Sequence, residues 1–493
     1  TSDMHSYLYD TDYIHPGKSQ GGYFQLARHF DPEALVIDGG DVLQGSPLAR
    51  QVSKRGFRSP VQSEAMNAAG VKVFVPGNHD FNFGYEVFKQ FVSLLDAELV
   101  CANLKDRSGE IKIKPWYVYT GVDGIRVGVV GVVTEYVNVW EDAQNLGPLE
   151  ILDSVSAATV ALKELKSQNV AYTLCVYHGG YEENPVHTEY QENRAHELAC
   201  LGFDVLLTAH QHTRVEPVYL GSSLTLQCAS NATFYSKVEL SASGITASLL
   251  HCGEGAVFKK PALDTVKKRY EPFQQEILAS LEKVIGTTEA VLEDSDKLKS
   301  AMYGASLADF FNKIQLDFTG ADISCVSLFN HPRSLGPTVR AGDVLAAYPF
   351  PNTLVVLEVT GSIVKTALER CASYFMLEDG KIRISEDFLV PKVEHYNYDY
   401  YQNLEYGFSI GNQIGQRVVK LCYQGKDLLA SLETRLTLVM NNYRATGTGG
   451  YEVFLSCPVV KHEKREVQDL LFDTFAHTQL IPVPPPSCFF VQP

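Results

Sequence analysis

The sequence predicts an α/β fold, α+β over its whole length, arranged as two domains of unequal size. Three observations lead there. The chain has 493 residues, well beyond one average domain. Through its first half, short apolar β-prone runs alternate with amphipathic runs, the order of strand and helix in turn. Near residue 250 that order stops, and a polar helical stretch leads into a second half with its own mixture of elements.

Composition sets further bounds. Hydrophobic content is 45% and charged content 20%, ordinary for a globular chain with a sizeable core. The net charge of −16 argues against wrapping duplex nucleic acid, whose phosphates repel an acidic surface. It does not argue against a small anionic substrate, because a bound metal inverts the local field. No apolar run reaches the roughly 18 residues that a spanning helix needs, so no membrane span is predicted. The 10 cysteines form no C-x-x-C pair. A disulfide framework or a zinc–thiolate site is not expected, and Cys175 and Cys325, in apolar runs, read as buried thiols. This cysteine usage favours a reducing or anaerobic setting.

The elements follow in order. Residues 21–30 pattern as a helix, and Ala34 to Ile37 as a buried strand running into Asp38-Gly39-Gly40-Asp41, where the glycines permit a sharp turn. Residues 61–69 form a helix closed by Gly70, and Val71 to Val75 a strand followed by Gly77-Asn78-His79-Asp80. Strands are expected over residues 97–101 and 125–130, and a helix over 154–168. A strand over 171–177 ends in His178-Gly179-Gly180, and one over 205–208 leads to His210-Gln211-His212. From 215 to 251 alternating short strands read as a β meander closing the first domain. Asn231-Ala232-Thr233 fits a glycosylation acceptor, a match read as chance unless the protein is eukaryotic and secreted. Val266, Tyr270, Phe273, Ile277 and Leu281 recur at helical spacing in a charged stretch, a long amphipathic helix with Pro272 as its bend.

Asp3-Met4-His5 joins four turns as the carriers of chemistry. An Asp-Gly turn alone is usually just a turn, and a lone histidine at a strand end is usually a satisfied polar residue. Five such blocks together are not. Asp3, His5, Asp41, Asn78, His178, His210 and His212 offer oxygen and nitrogen ligands for two divalent metals about 3.5–4 Å apart, the arrangement used for phosphoester hydrolysis. His79 can point at the substrate, with Asp80 holding its imidazole in one tautomer. Because Asp3 lies so near Thr1, a first strand upstream is expected to be needed to hold it.

The second half is mixed. Helices are expected over 305–315 and 362–374, and strands over 321–328, 354–359 and 436–440. Residues 395–401 read as an aromatic-dense loop, and the Pro-rich tail from Pro482 as extended. Tyrosines beside Asn and Gly are suited either to stack on a flat base, at about 1–3 kcal/mol per base, or simply to pack the surface.

The five blocks resemble those of the calcineurin-like metallophosphoesterases, in order. With the linker helix and second domain, the whole chain resembles the bacterial 5'-nucleotidase family. Tyr396-Asn397-Tyr398-Asp399 and Asn441-Asn442-Tyr443-Arg444-Ala445 look most like its 2',3'-cyclic-nucleotide 2'-phosphodiesterase/3'-nucleotidase branch. The resemblance implies a four-layer α/β/β/α metallophosphoesterase domain over 1–258, a linker helix and hinge over 259–285, and a mixed α/β nucleotide-binding domain over 286–493. It implies that Asp3, His5 and His212 hold one metal, that Asn78, His178 and His210 hold the other, and that Asp41 bridges them. His79 would stabilise the transition state, oriented by Asp80. Tyr398 and Tyr443 would sandwich the base, and Asn330, Arg340 and Asn352 would contact substrate. The metals would be Zn, Mn, Co or Fe rather than Ca. A metal-activated hydroxide would hydrolyse 2',3'-cyclic nucleotides, 3'- or 5'-nucleoside monophosphates, or both, after rotation of the second domain about a hinge near Leu263. The family points to an extracytoplasmic setting, in the periplasm or on the cell surface, and leaves the cytoplasm open. The alternatives are a phosphoesterase for nucleotide sugars or other small molecules, and a non-catalytic nucleotide-binding protein.

Overall fold

The computed structural model describes the chain except residues 14–20, 58–59, 183–190, 295, 351, 391–392, 464 and 479. It divides into two compact units, Thr1–Leu278 and Ala279–Pro493. The helix Pro261–Leu281 carries Pro272 within it.

Two larger sheets make the body of the first unit, beside two two-stranded ones among the described residues. A parallel three-stranded sheet orders Val36–Asp38, Val71–Phe74 and Glu98–Leu99. A six-stranded mixed sheet runs in the order Val215–Leu220, Ser223–Gln227, Val205–Thr208, Tyr172–His178, Arg126–Val133, Trp116–Thr120. Its four middle strands are parallel. The strand Arg126–Val133 shows why its sequence is apolar throughout. Val127 and Val129 pack between the sheets with Val73, Val75 and Leu174. Val130 and Val132 face away, against Ala158, Leu162 and Leu165 of the helix Ser154–Lys166. A strand buried on both faces has no polar alternation to display. Behind the smaller sheet, Phe74 packs edge to face on Phe91 of the helix Tyr85–Ser93. The layers are therefore helix, sheet, sheet, helix.

The expected meander is not a single sheet. Ser223–Gln227 lies parallel to Val205–Thr208 within the six-stranded sheet. Among the described residues, Phe234–Ser241 and Gly244–His251 pair only with each other. Hairpin periodicity is the same in both arrangements, so it does not choose between them.

The start of the chain is held by backbone bonds. Gly39 N–H donates to Thr1 O at 2.7 Å, Asp3 N–H to Gly40 O at 2.8 Å and His5 N–H to Asp41 O at 2.8 Å. Asp3 is fully buried.

In the second unit, a five-stranded sheet orders Asp399–Gln402, Ile323–Ser327, Arg435–Asn441, Leu354–Thr360 and Val459–Glu463. Helices Ser306–Thr319 and Gly361–Ala372 bury Phe310, Phe311, Val364 and Leu368 in the same core as these strands. The stretch expected to be an aromatic loop is instead a short turn, His395–Asn397, and then the fully buried edge strand Asp399–Gln402. The Pro-rich tail ends in a strand, Cys488–Gln492, parallel to Glu405–Ser409. All ten cysteines are free thiols. Among the described residues, no helix is long and apolar enough to cross a membrane.

Candidate metal centre

The five blocks meet above the carboxyl ends of the strands Val36–Asp38, Val71–Phe74, Tyr172–His178 and Val205–Thr208, where open α/β sheets place their sites. Tight loops make this possible. Asp3, His5, Asp41, His210 and His212 all have left-handed backbones, with φ between 47° and 72°. Such conformations cost about 1–3 kcal/mol each outside glycine and gather at functional sites. The loops also touch: a Cβ on Gly77 would lie 2.2 Å from Asp41 Oδ1, and one on Gly40 2.2 Å from Gly77 N.

Two donor groups result. Asp3, His5, Asp41 and His212 offer ligand atoms within 4.8 Å of one another, and so do Asp41, His178 and His210. Asp41 belongs to both. Its Oδ2 is buried without a hydrogen-bond partner, 3.3 Å from His178 Nε2 and 3.8 Å from His5 Nε2. Asn78 Oδ1 completes the second group, 3.0 Å from His210 Nδ1 and 3.2 Å from His178 Nε2.

Outer partners aim the imidazoles. His5 Nδ1 faces Gln44 O at 2.7 Å and His178 Nδ1 faces Gly39 O at 2.5 Å. Because carbonyl oxygen only accepts, both nitrogens are assigned as N–H donors, leaving Nε2 of each ring as the nitrogen that faces inward. His210 is reversed. Its Nε2 meets Glu192 Oε1 at 3.0 Å, so Nδ1 points inward. Trp140 covers that ring, with centroids 5.2 Å apart.

The electrostatics fit dications. Burial raises the Asp3 carboxyl to about 7, with His178 opposing and Asp41 adding to the rise. Burial pushes His5 down to about 4, so it is neutral at physiological pH and can ligate. Burial would also lower His178, but the Asp41 carboxylate overrides this and lifts it to about 10. Burial would raise Asp41 itself, yet His178 and then His79 outweigh it and hold the carboxyl well below the usual carboxylate range. The His5 and His212 Nε2 atoms converge to 2.8 Å. Two carboxylates, the Asn78 carbonyl and inward-facing imidazole nitrogens form a donor set of the kind that binds Zn, Mn, Co or Fe.

Asp80 does not orient His79. Its carboxylate accepts four backbone N–H bonds, from Gly77 (2.8 Å) and Asp41 (2.9 Å) on Oδ2 and from Val42 (2.8 Å) and Leu43 (3.0 Å) on Oδ1. It thereby ties the Asp41 loop to the Asn78 loop. Burial and then Asp41 raise its carboxyl to about 6, which leaves it ionised at neutral pH. His79 Nδ1 instead meets Asn82 Oδ1 at 2.7 Å. The reason is geometric. The turn Asn78–Asp80 is a 3-10 turn, which brings positions i and i+3 to one side and points the adjacent residue elsewhere. The His79 ring lies 5.4 Å from that of His5. Sequence reading missed Asn82, Glu192 and Trp140; only the i+3 spacing of Asn82 left a signal.

In the second unit the expected contact residues separate. Tyr398 is 2% exposed, packs on Tyr374, Phe375 and Tyr400, and donates its hydroxyl to Ala301 O at 2.9 Å. A ring so enclosed has no face for a planar ligand, so the stacking expectation is not met by Tyr398. Tyr443 and Tyr396 are half-buried, and Arg444, next to Tyr443, donates to Tyr396 O at 2.9 Å. Asn330 bridges Val393 O and His395 N–H. Asn352 O accepts from Val467 N–H. Arg340 lies in another sheet, beside Val284, and pairs with Glu282 at 3.3 Å, so it does not join Asn330.

Comparison with known proteins agrees with this division. The calcineurin-like phosphoesterase family model matches residues 1–214, and the 5'-nucleotidase C-terminal domain model matches residues 284–456. A trifunctional nucleotide phosphoesterase protein of Bacillus subtilis is 23% identical across 96% of this chain, which spans 37% of that relative. A 2',3'-cyclic-nucleotide 2'-phosphodiesterase/3'-nucleotidase of Haemophilus influenzae is 24% identical over 93% of this chain and 82% of its own length. The crystal structure of a 5'-nucleotidase from Staphylococcus aureus superposes with a TM-score of 0.89 at 26% identity, covering 100% of this chain and 99% of that one.

Proposed function

The chain belongs to the calcineurin-like metallophosphoesterases that carry a 5'-nucleotidase C-terminal domain, a family of hydrolases, and from that premise we propose that it hydrolyses nucleotide phosphoesters at a two-metal centre. The observation that carries this reading is the Asp41 carboxylate, buried and shared by two donor groups, with Oδ2 outside any hydrogen bond. Asp3, His5, Asp41 and His212 would hold one ion, and Asp41, Asn78, His178 and His210 the other. Two such ions polarise phosphoryl oxygens and lower the pKa of a coordinated water toward neutrality. The chain's own residues do the rest. Outer carbonyls and Glu192 keep the imidazoles turned inward. Asp80 holds the Asp41 and Asn78 loops in register. His79, held through Nδ1–H by Asn82, would act as the imidazolium and donate Nε2–H to the charge that develops on the phosphoryl group. Losing one such donor costs about 10²–10³ in rate.

Substrate choice would lie in the second unit. Tyr443 with Tyr396, rather than Tyr398, would flank the base, since their loops are joined through Arg444. The substrate class best supported is 2',3'-cyclic nucleotides and nucleoside monophosphates, after the activities for which relatives similar over most of their length are named. The test is turnover of 2',3'-cAMP, 3'-AMP, 5'-AMP and UDP-glucose by protein loaded with Mn²⁺, Co²⁺ or Zn²⁺. Release of phosphate or ring opening of the nucleotides supports the reading. No turnover of any of them sinks it, and turnover of UDP-glucose alone moves the assignment to nucleotide sugars.

A further inference from the structure

His79 is turned by an amide, and an amide is ambiguous. The oxygen and the NH₂ of Asn82 are nearly the same size, so either could face the His79 ring. Oxygen facing it makes His79 Nδ1 the protonated nitrogen; NH₂ facing it makes Nδ1 the acceptor and moves the ring proton to Nε2. Something must choose. Asn82 Nδ2 lies 2.6 Å from Glu141 Oε2, and a carboxylate can only accept. The NH₂ of Asn82 is therefore committed to Glu141, and its oxygen to His79. Glu141 is itself held. Its Oε1 accepts from Asn145 Nδ2 at 2.8 Å and from Asp142 N–H at 3.0 Å. Asn145 Nδ2 also reaches Asn82 O at 3.4 Å.

We infer that Glu141 is a positioning residue for His79: acting through Asn82, it fixes the orientation of the amide, so that Asn82 Oδ1 accepts from Nδ1–H and Nε2 is the nitrogen that His79 presents to the phosphoryl group. Glu141 is 59 residues from Asn82 in sequence and follows the short helix Val137–Trp140. That same segment brings Trp140 over His210, so one connection steadies both a metal-ligating ring and His79. The inference rests on the hydrolytic reading above, and its test separates the two.

The test is a double-mutant cycle. Asn82→Asp places a carboxylate against the Glu141 carboxylate, and the two repel. Glu141→Gln lets an NH₂ face Asn82 and frees its amide to flip. Each single change is expected to lower kcat about tenfold to a hundredfold, as loss of an outer partner of a working imidazole commonly does. In Asn82→Asp/Glu141→Gln the chain of bonds is rebuilt with reversed polarity. The amide NH₂ introduced at position 141 donates to the carboxylate introduced at position 82, and that carboxylate accepts from His79. The double variant is expected to recover to within about threefold of the parent, a non-additivity typical of groups in direct contact. KM should change little, and bound metal per chain should stay level throughout.

The thermal midpoint of each variant is read independently of activity. It should fall in Asn82→Asp and return in the double variant, even if the parent hydrolyses nothing in the substrate panel. A parent without turnover thus defeats the hydrolytic reading alone, and affinity for inorganic phosphate then replaces kcat in the cycle. A double variant that is as slow as the slower single, or that fails to fold, overturns the inference. Singles that fold poorly beside a folded, active double support it.

Discussion

Asp80→Asn separates two accounts of the Asn78-His79-Asp80 turn. If Asp80 oriented His79, the substitution would slow turnover and spare the fold. The structure assigns it four backbone N–H bonds, two to each carboxylate oxygen, from Gly77, Asp41, Val42 and Leu43. Asparagine keeps one acceptor oxygen. Whichever way its amide lies, the NH₂ faces two buried N–H donors. Two charge-assisted bonds are lost, at about 1.5–3 kcal/mol each, so the expected destabilisation is roughly 3–6 kcal/mol. Against a total stability of about 5–15 kcal/mol this is severe. The thermal midpoint should drop by roughly 5–20 °C. Because the same bonds hold the loops of Asp41 and Asn78, bound metal measured by elemental analysis should fall with it. His79→Asn is the control, expected to lose turnover while midpoint and metal content stay near those of the parent. An Asp80→Asn protein with full stability and full metal content, but reduced turnover, would refute the reasoning and return Asp80 to the role of orienting His79.

Three further outcomes follow from the geometry. Tyr443→Ala should raise KM, since a stacked base is held by about 1–3 kcal/mol; Tyr398→Phe should leave KM unchanged and cost about 1 kcal/mol of stability in the second unit, by loss of its bond to Ala301 O. An unchanged KM in Tyr443→Ala would refute stacking. Metal affinity should weaken as pH falls: His178, lifted to about 10 by Asp41, carries a proton at neutral pH that a metal must displace. Asp3, raised to about 7 by burial, adds to the same trend; the expected slope between about pH 6 and 8 is about tenfold per unit for each proton displaced, and calorimetric titration with Mn²⁺ giving the same affinity at pH 6 and 8 would refute it. Finally, Arg444→Met should destabilise the second unit by about 3–5 kcal/mol, because Asp399 is buried and Arg444 is its charge partner at 2.9 Å; an unchanged denaturant midpoint would show that Asp399 is neutral.

Much of the candidate metal centre was legible because its signal is local. Each of four ligand blocks follows a β-prone run and opens a glycine- or histidine-bearing turn, so strand-end placement could be read from neighbours in the chain. The strands Val205–Thr208 and Leu354–Thr360 and the helix Val61–Ala69 were legible for the same reason. Partnership between distant residues was not. Asp41 meets His178, Asn82 meets Glu141, and His210 meets Glu192, and nothing in the residues between announces these pairs.

Sequence alone thus singled out the candidate ligands, from Asp3 to His212, and pointed to a metallophosphoesterase, the family that the matching domains show. Tertiary structure decided which atom of each imidazole faces inward, and that Asp80 serves backbone N–H groups and not His79. It also decided that Tyr398 belongs to the core. Alternation of side chains shows a strand only when one face is wet, and Asp399–Gln402 is buried on both. An aromatic-dense run reads the same whether it lines a ligand or a core, until the elements packed against it are known.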